Sequence, residues 1–159
     1  MTMTLVETIT VGSGGAASIE FTGIDGTGKD LMLLLSLRNS VDSPSATLSF
    51  NTGGSYTRKR LLGNGSAASS DSASVDLQSN TSVSTANTFS NSSIYVSNYA
   101  SSAAKSYSVD SVNENDDYLA NQAIIAGSWT GTAAITSVEL TPTSNNFVEH
   151  STASLYIIS

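Results

Sequence analysis

Short runs of alternating apolar and polar residues recur along the chain, separated by clusters of Gly, Asn, Ser and Asp. In "ASIEFT" (17–22), Ile19 and Phe21 alternate with polar neighbours, the period-2 pattern of a half-exposed strand. The same reading gives strands at "LVETITV" (5–11), "LMLLLSLR" (31–38), "ATLSFN" (46–51), "YTRKRLL" (56–62) and "SIYVSNY" (93–99). It continues through "KSYSVDSV" (105–112), "AIIAGSW" (123–129), "ITSVELT" (135–141) and "ASLYII" (153–158). No segment carries a convincing amphipathic helical period. Many brief strands with turn chemistry between them predict an all-β fold, a jelly-roll-like antiparallel β-sandwich built as a single domain over residues 1–159. Pro44 and Pro142 fall at the ends of strand candidates, where a missing N–H donor is tolerated.

Two segments stand apart from this alternation. Residues 1–11 read either as an N-terminal arm that adds a strand to a neighbour's sheet or as an edge strand of the chain's own sandwich. Residues 63–93 are dominated by small polar side chains, with Val75, Leu77, Val83 and Phe89 as the large apolar exceptions. That composition predicts a long excursion across the surface, with a short strand at Val75 and Leu77.

Composition narrows the partners. Charged residues make up 12% of the chain and the net charge is −7, so phosphate backbones are repelled and a nucleic-acid partner is not expected. The exception is "TRKR", where Arg58, Lys59 and Arg60 sit together. They read either as a dock for an acidic surface or as the charged edge that keeps a strand from aggregating. The absence of cysteine removes disulfides, thiol nucleophiles and thiolate metal sites. "MTMTLVETITV" lacks the basic and unbroken apolar regions of a secretion signal, and no apolar run approaches the ~20 residues that span a bilayer. A soluble chain without a membrane partner is therefore expected.

Candidate chemistry is sparse. "GIDGTGKD" (23–30) approaches a phosphate-binding loop, but Asp30 stands where a hydroxyl would hold Mg²⁺, and a strand rather than a helix is expected next. The better reading is a glycine-rich hairpin turn, with Asp25 and Gly26 at its tip. His150 lies between Glu149 and Ser151, but no nucleophile-elbow motif accompanies it, so no catalytic residue and no enzyme activity are expected. Asp110, Asn113, Glu114, Asn115, Asp116 and Asp117 gather hard oxygen ligands without EF-hand spacing, which makes a solvated acidic turn the expected reading; no metal or other cofactor is expected. Tyr95, Tyr99, Tyr107, Tyr118, Tyr156 and Trp129 could stack on sugars, although strand propensity alone accounts for most of them.

The series "GIDGTGKDLMLLLSLRNS", "LSFNTGGSYTRKRLLGNGS", "FSNSSIYVSNYASSAAKSYSVDSV" and "AAITSVELTPTSNNFVEHSTASLYIIS" resembles small virion structural proteins of tailed bacteriophages, over most of the chain from Ile19 onward. The resemblance implies a virion component. The expectation built on it is a capsid decoration, or cement, protein that forms a homo-oligomer, a trimer, and stabilises the outer shell by binding the major capsid protein. The expected contacts are Leu5 and Ile9 in the N-terminal segment, with Arg38, Arg58, Lys59 and Arg60 as a polar rim. The alternative is a carbohydrate-binding receptor module of a tail fibre or baseplate, for which exposed aromatics should share one concavity.

Overall fold

The computed structural model describes residues 1–114 and 120–159, and among these it contains twelve strands in two antiparallel sheets. The larger sheet has eight strands. In spatial order they are β1 (Met3–Thr10), β12 (Thr152–Ile158), β3 (Asp30–Ser36), β8 (Asn91–Val96), β9 (Lys105–Val112), β10 (Gln122–Trp129), β5 (Tyr56–Gly63) and β6 (Ala68–Asp71). The smaller sheet runs β2 (Ile19–Thr22), β11 (Ser137–Pro142), β4 (Ser45–Phe50) and β7 (Leu77–Gln78). Each of the ten sequence-predicted strands overlaps one of these.

The wiring explains the jelly-roll character. Taken in chain order, β2 to β7, β10 and β11 fall in the small, large, small, large, large, small, large and small sheet. The chain therefore winds between the two layers, which is how a jelly roll is built. Between β3 and β10 lies the extra hairpin β8–β9; because it adds two strands, every neighbour stays antiparallel. Beyond β3 the sheet is extended by β12 and then β1.

Alternation in sequence becomes alternation in space. β9 and β10 are buried at every second residue, and the same phase continues across the register. Leu31, Leu33 and Leu35 of β3, Ile94 and Val96 of β8, Val109 of β9 and Ile125 of β10 point inward from the large sheet. They meet Ile19, Phe21, Leu48, Phe50, Val138 and Leu140 of the small sheet in one contiguous apolar cluster. At roughly 25 cal/mol per Å² of apolar area, this layer is the dominant favourable contribution to folding.

Two expectations are corrected. The glycine-rich stretch 23–30 is not a hairpin turn, because β2 pairs with β11 in one sheet while β3 pairs with β12 and β8 in the other. It carries the chain from layer to layer. The Tyr99 hydroxyl pins it by accepting from the Gly28 N–H at 3.2 Å and donating to the Asp25 carbonyl. A side chain at position 28 would overlap Ile157, which is why glycine stands there.

The stretch 63–93 is not a surface excursion throughout. It supplies two strands, β6 and β7, and the run Asp76, Leu77, Gln78, Ser79, Asn80 and Thr81 is fully buried. Internal partners satisfy most of its polar groups, Gln78 Nε2 and Asn80 Oδ1 excepted. Ser111 Oγ accepts from the Gln78 N–H at 2.8 Å and lies 2.7 Å from Ser92 Oγ, while Ser79 Oγ donates to Asn39 Oδ1 at 3.1 Å.

Candidate functional site

Because the inward phase of the eight strands is taken by the core, the opposite phase forms one broad outer face. Cross-strand neighbours on it run Leu5, Tyr156, Met32, Tyr95, Ser108, Ala126 and Lys59 in one row, and Thr8, Ser154, Leu34, Ser93, Asp110, Ile124, Leu61 and Ser70 in the next. The charged strand residues on this face are Asp30, Lys59 and Asp110. Ile124 and Leu61 remain 54% and 56% exposed. The opposite layer differs: on the outer face of the small sheet Glu20 and Glu139 stand directly across from each other, a like-charge pair.

Three shallow depressions meet at Ile124. The largest, about 540 Å³, is lined by Leu61, Ser70, Ser72, Ile124 and Ala126 together with the charged Lys59, Arg60 and Asp71. A second of about 190 Å³ opens between Ser93, Tyr95, Ser108, Asp110 and Ile124. The third, about 210 Å³, lies against Leu61, Ala68 and Gln122. Small serine and alanine side chains leave this room, and hydroxyls line it. Lys59 Nζ donates to Ser72 Oγ at 2.5 Å, and the Tyr95 hydroxyl donates to Asp30 Oδ2 at 2.7 Å. That bond to the carboxylate, with some burial, holds the Tyr95 phenol above its ordinary pKa.

Beneath the outer face, Arg58 of β5 and Tyr107 of β9 meet in a buried ionic node. Asp76 Oδ1 accepts from Arg58 Nε at 2.5 Å and from the Tyr107 hydroxyl at 2.7 Å, while Asp76 Oδ2 accepts from the Leu48 N–H at 2.8 Å. One carboxylate thus ties the large sheet to the small one. Burial and the neighbouring carboxylate push the Tyr107 phenol well above its ordinary range, so it stays a donor. For Arg58, burial is the largest single influence and opposes the charge, but the hydrogen bond to Asp76, the Asp76 charge and Tyr107 together outweigh it and raise the pKa. Phe50 packs edge-on against Tyr107 and Trp129, with ring centroids 5.5 and 5.8 Å away.

Lys105, the last cation in the chain, is also buried. Its Nζ donates to the carbonyls of Ser101, Ala103 and Ala133 at 2.8, 2.5 and 3.1 Å, so it gathers two loops at one end of β9. Burial lowers its pKa. Replacing Lys105 with methionine keeps the stem but strands three carbonyls, and we expect unfolding in urea to show a loss of about 1–3 kcal/mol.

The sequence-predicted contact residues separate into two groups. Arg38 spends its guanidinium on its own chain, donating to the carbonyls of Ser84, Thr85 and Thr88. Arg58 is in the buried node, and Arg60 pairs with Asp71 at 2.6 Å. Ile9 leans on the core. Leu5 and Lys59 do lie on the outer face, at its two ends. Ile124 and Leu61 escaped the sequence reading, although the adjacent pair Ile124–Ile125 breaks the alternation of β10 and so requires one isoleucine to face out.

The other candidates are dispersed. Ser151 Oγ accepts from the Arg38 N–H at 3.1 Å and lies 3.4 Å from the Arg38 carbonyl, and His150 holds φ 71° with its N–H on Val11. Tyr99, Tyr107 and Trp129 are core residues; Tyr95 and Tyr156 are the two on the outer face, with Met32 between them. Of the acidic turn, residues 115–117 lie outside the described residues, as does Tyr118. Among the described residues no cluster of three His, Cys, Asp or Glu side chains could hold a metal. Comparison with protein-family models, curated proteins and solved structures returns no match.

Proposed function

We propose that this chain is a virion structural protein of a tailed bacteriophage, a decoration protein that acts as an oligomer and cements the outer capsid surface. The observation that carries the reading is the outer face of the eight-stranded sheet: broad, with both signs of charge sparsely set on it, and centred on exposed Ile124 and Leu61 in a chain of net charge −7. Such a face suits a protein surface better than a charged polymer, since contiguous apolar patches mark interaction sites. The sequence resemblance to phage structural proteins supports the same reading. By binding the major capsid protein where shell subunits meet, the decoration protein favours the assembled shell over the free subunits.

A receptor-binding module would need its aromatics in one concavity, and the depression beside Ile124 contains Tyr95 as its one aromatic. The test uses purified phage heads stripped of decoration. Ile124→Lys combined with Leu61→Thr should leave the fold intact, because both side chains are exposed and position 124 stands across from Asp110, yet weaken binding to heads about 30-fold or more. Undiminished binding by a folded double variant would reject this face as the contact, and binding to a glycan array instead would favour the fibre module.

A further inference from the structure

β1 forms one margin of the large sheet and is exposed along nearly its whole length. Its backbone directions follow from the hydrogen bonds at its two ends. Thr2 and Ser159 exchange both N–H···O bonds, at 2.8 and 2.9 Å, so Thr2 points toward β12. Val11 also points toward β12, donating to Ser151 at 2.8 Å. In an antiparallel ladder alternate residues face opposite sides, which would send Thr2 and Val11 in opposite directions. The bulge between Leu5 and Glu7 supplies the extra residue that reconciles them. The groups that face away from β12 are therefore those of Met3 and Leu5 before the bulge and Thr8 and Thr10 after it.

This pattern is symmetric about the bulge. Met3 and Thr10 lie equally far from its centre, as do Leu5 and Thr8. A regular strand laid along this margin would lose register at the three-residue step. An antiparallel second copy carries the same step at the same place. We propose that two copies of the chain pair through β1 about a two-fold axis at the bulge, with Leu5 of one copy facing Thr8 of the other and Met3 facing Thr10.

Charge and chemistry agree with this occupant. β1 and β12 carry Glu7 as their one charge, so two chains of net −7 meet along a nearly neutral margin. Leu5 and Val6, 52% and 45% exposed, gain cover from the second copy. The pairing joins two eight-stranded sheets into one and places both outer faces on the same side. Eight residues give a seam of roughly 26 Å, at the small end of specific interfaces, so the dissociation constant should be on the order of 10 µM. The association is two-fold rather than the three-fold one expected from the sequence. It does not depend on the shell reading, and the purified chain tests it.

Two variants make the test specific. Thr8→Pro removes an N–H that faces away from β12, a substitution edge strands tolerate, and should weaken dimerisation in sedimentation velocity at least about tenfold with strand circular dichroism unchanged. Register is read by cysteine pairing in this cysteine-free chain. Hydrogen-bonded partners have Cα atoms about 5.5 Å apart, within disulfide reach. A mixture of Leu5→Cys and Thr8→Cys chains should therefore form a mixed disulfide under mild oxidation, while neither variant alone forms a dimer disulfide. A wild-type chain that stays monomeric up to about 1 mM, a range wide enough for weak interfaces, would overturn the proposal. So would Leu5→Cys cross-linking to itself, or a mixture that yields no mixed disulfide.

Discussion

Replacing Asp76 with alanine should lower the unfolding free energy by about 3–5 kcal/mol and the melting temperature by on the order of 10 °C. The side chain is fully buried, and its removal leaves the Arg58 guanidinium, the Tyr107 hydroxyl and the Leu48 N–H without their shared acceptor. The larger part of the loss is the uncompensated charge of Arg58, whose side chain is 12% exposed. A double variant, Asp76→Leu with Arg58→Met, removes the charge together with its partner and should recover much of the stability, since apolar replacements of a buried pair are often neutral. Urea denaturation of the three proteins measures both effects. A loss below about 1 kcal/mol for the single variant would mean that the node is solvated and does not join the sheets.

Gly127→Ala should cost about 1–3 kcal/mol, a large effect for one methyl group. Gly127 sits in the middle of β10 with its missing side chain facing inward, and a Cβ there would overlap the Tyr107 ring. The ring has little freedom to move away, because its hydroxyl is held by Asp76 and Phe50 packs against it at right angles. Glycine weakens a strand on its own, so its presence here reflects the aromatic laid across it. The prediction also couples two sites: in an Asp76→Ala background Tyr107 is released, and Gly127→Ala should cost measurably less than in the wild type. Strict additivity of the two losses would separate the glycine from the node.

The strands were legible because burial of one sheet face writes a period of two into the sequence, and each of the ten predicted segments overlaps an observed strand. Topology was less accessible. Nothing local in "GIDGTGKD" distinguishes a hairpin turn from a passage between sheets, since the difference lies in the distant strands β11 and β12 that β2 and β3 pair with. The buried polar run from Asp76 to Thr81 was hidden for a related reason. Polar side chains read as solvent-facing unless their partners are known, and those partners, Arg58, Tyr107 and Ser111, come from other strands. The arginines were misleading in the same way: Arg38 and Arg58 resemble a docking rim in sequence and act inside the fold. The outer face proposed as the contact was half legible: Leu5 and Lys59 lie on it, while Ile124 and Leu61 went unrecognised.

The proposed function is tested most directly by whether, and where, this chain appears in a density map of the virion that the proposal calls for. Copies seated on the outside of the capsid, with the face around Ile124 turned toward the shell, are the predicted result. Density for the chain at the tail tip or fibre, or a capsid-bound copy with that face turned to solvent, would contradict it.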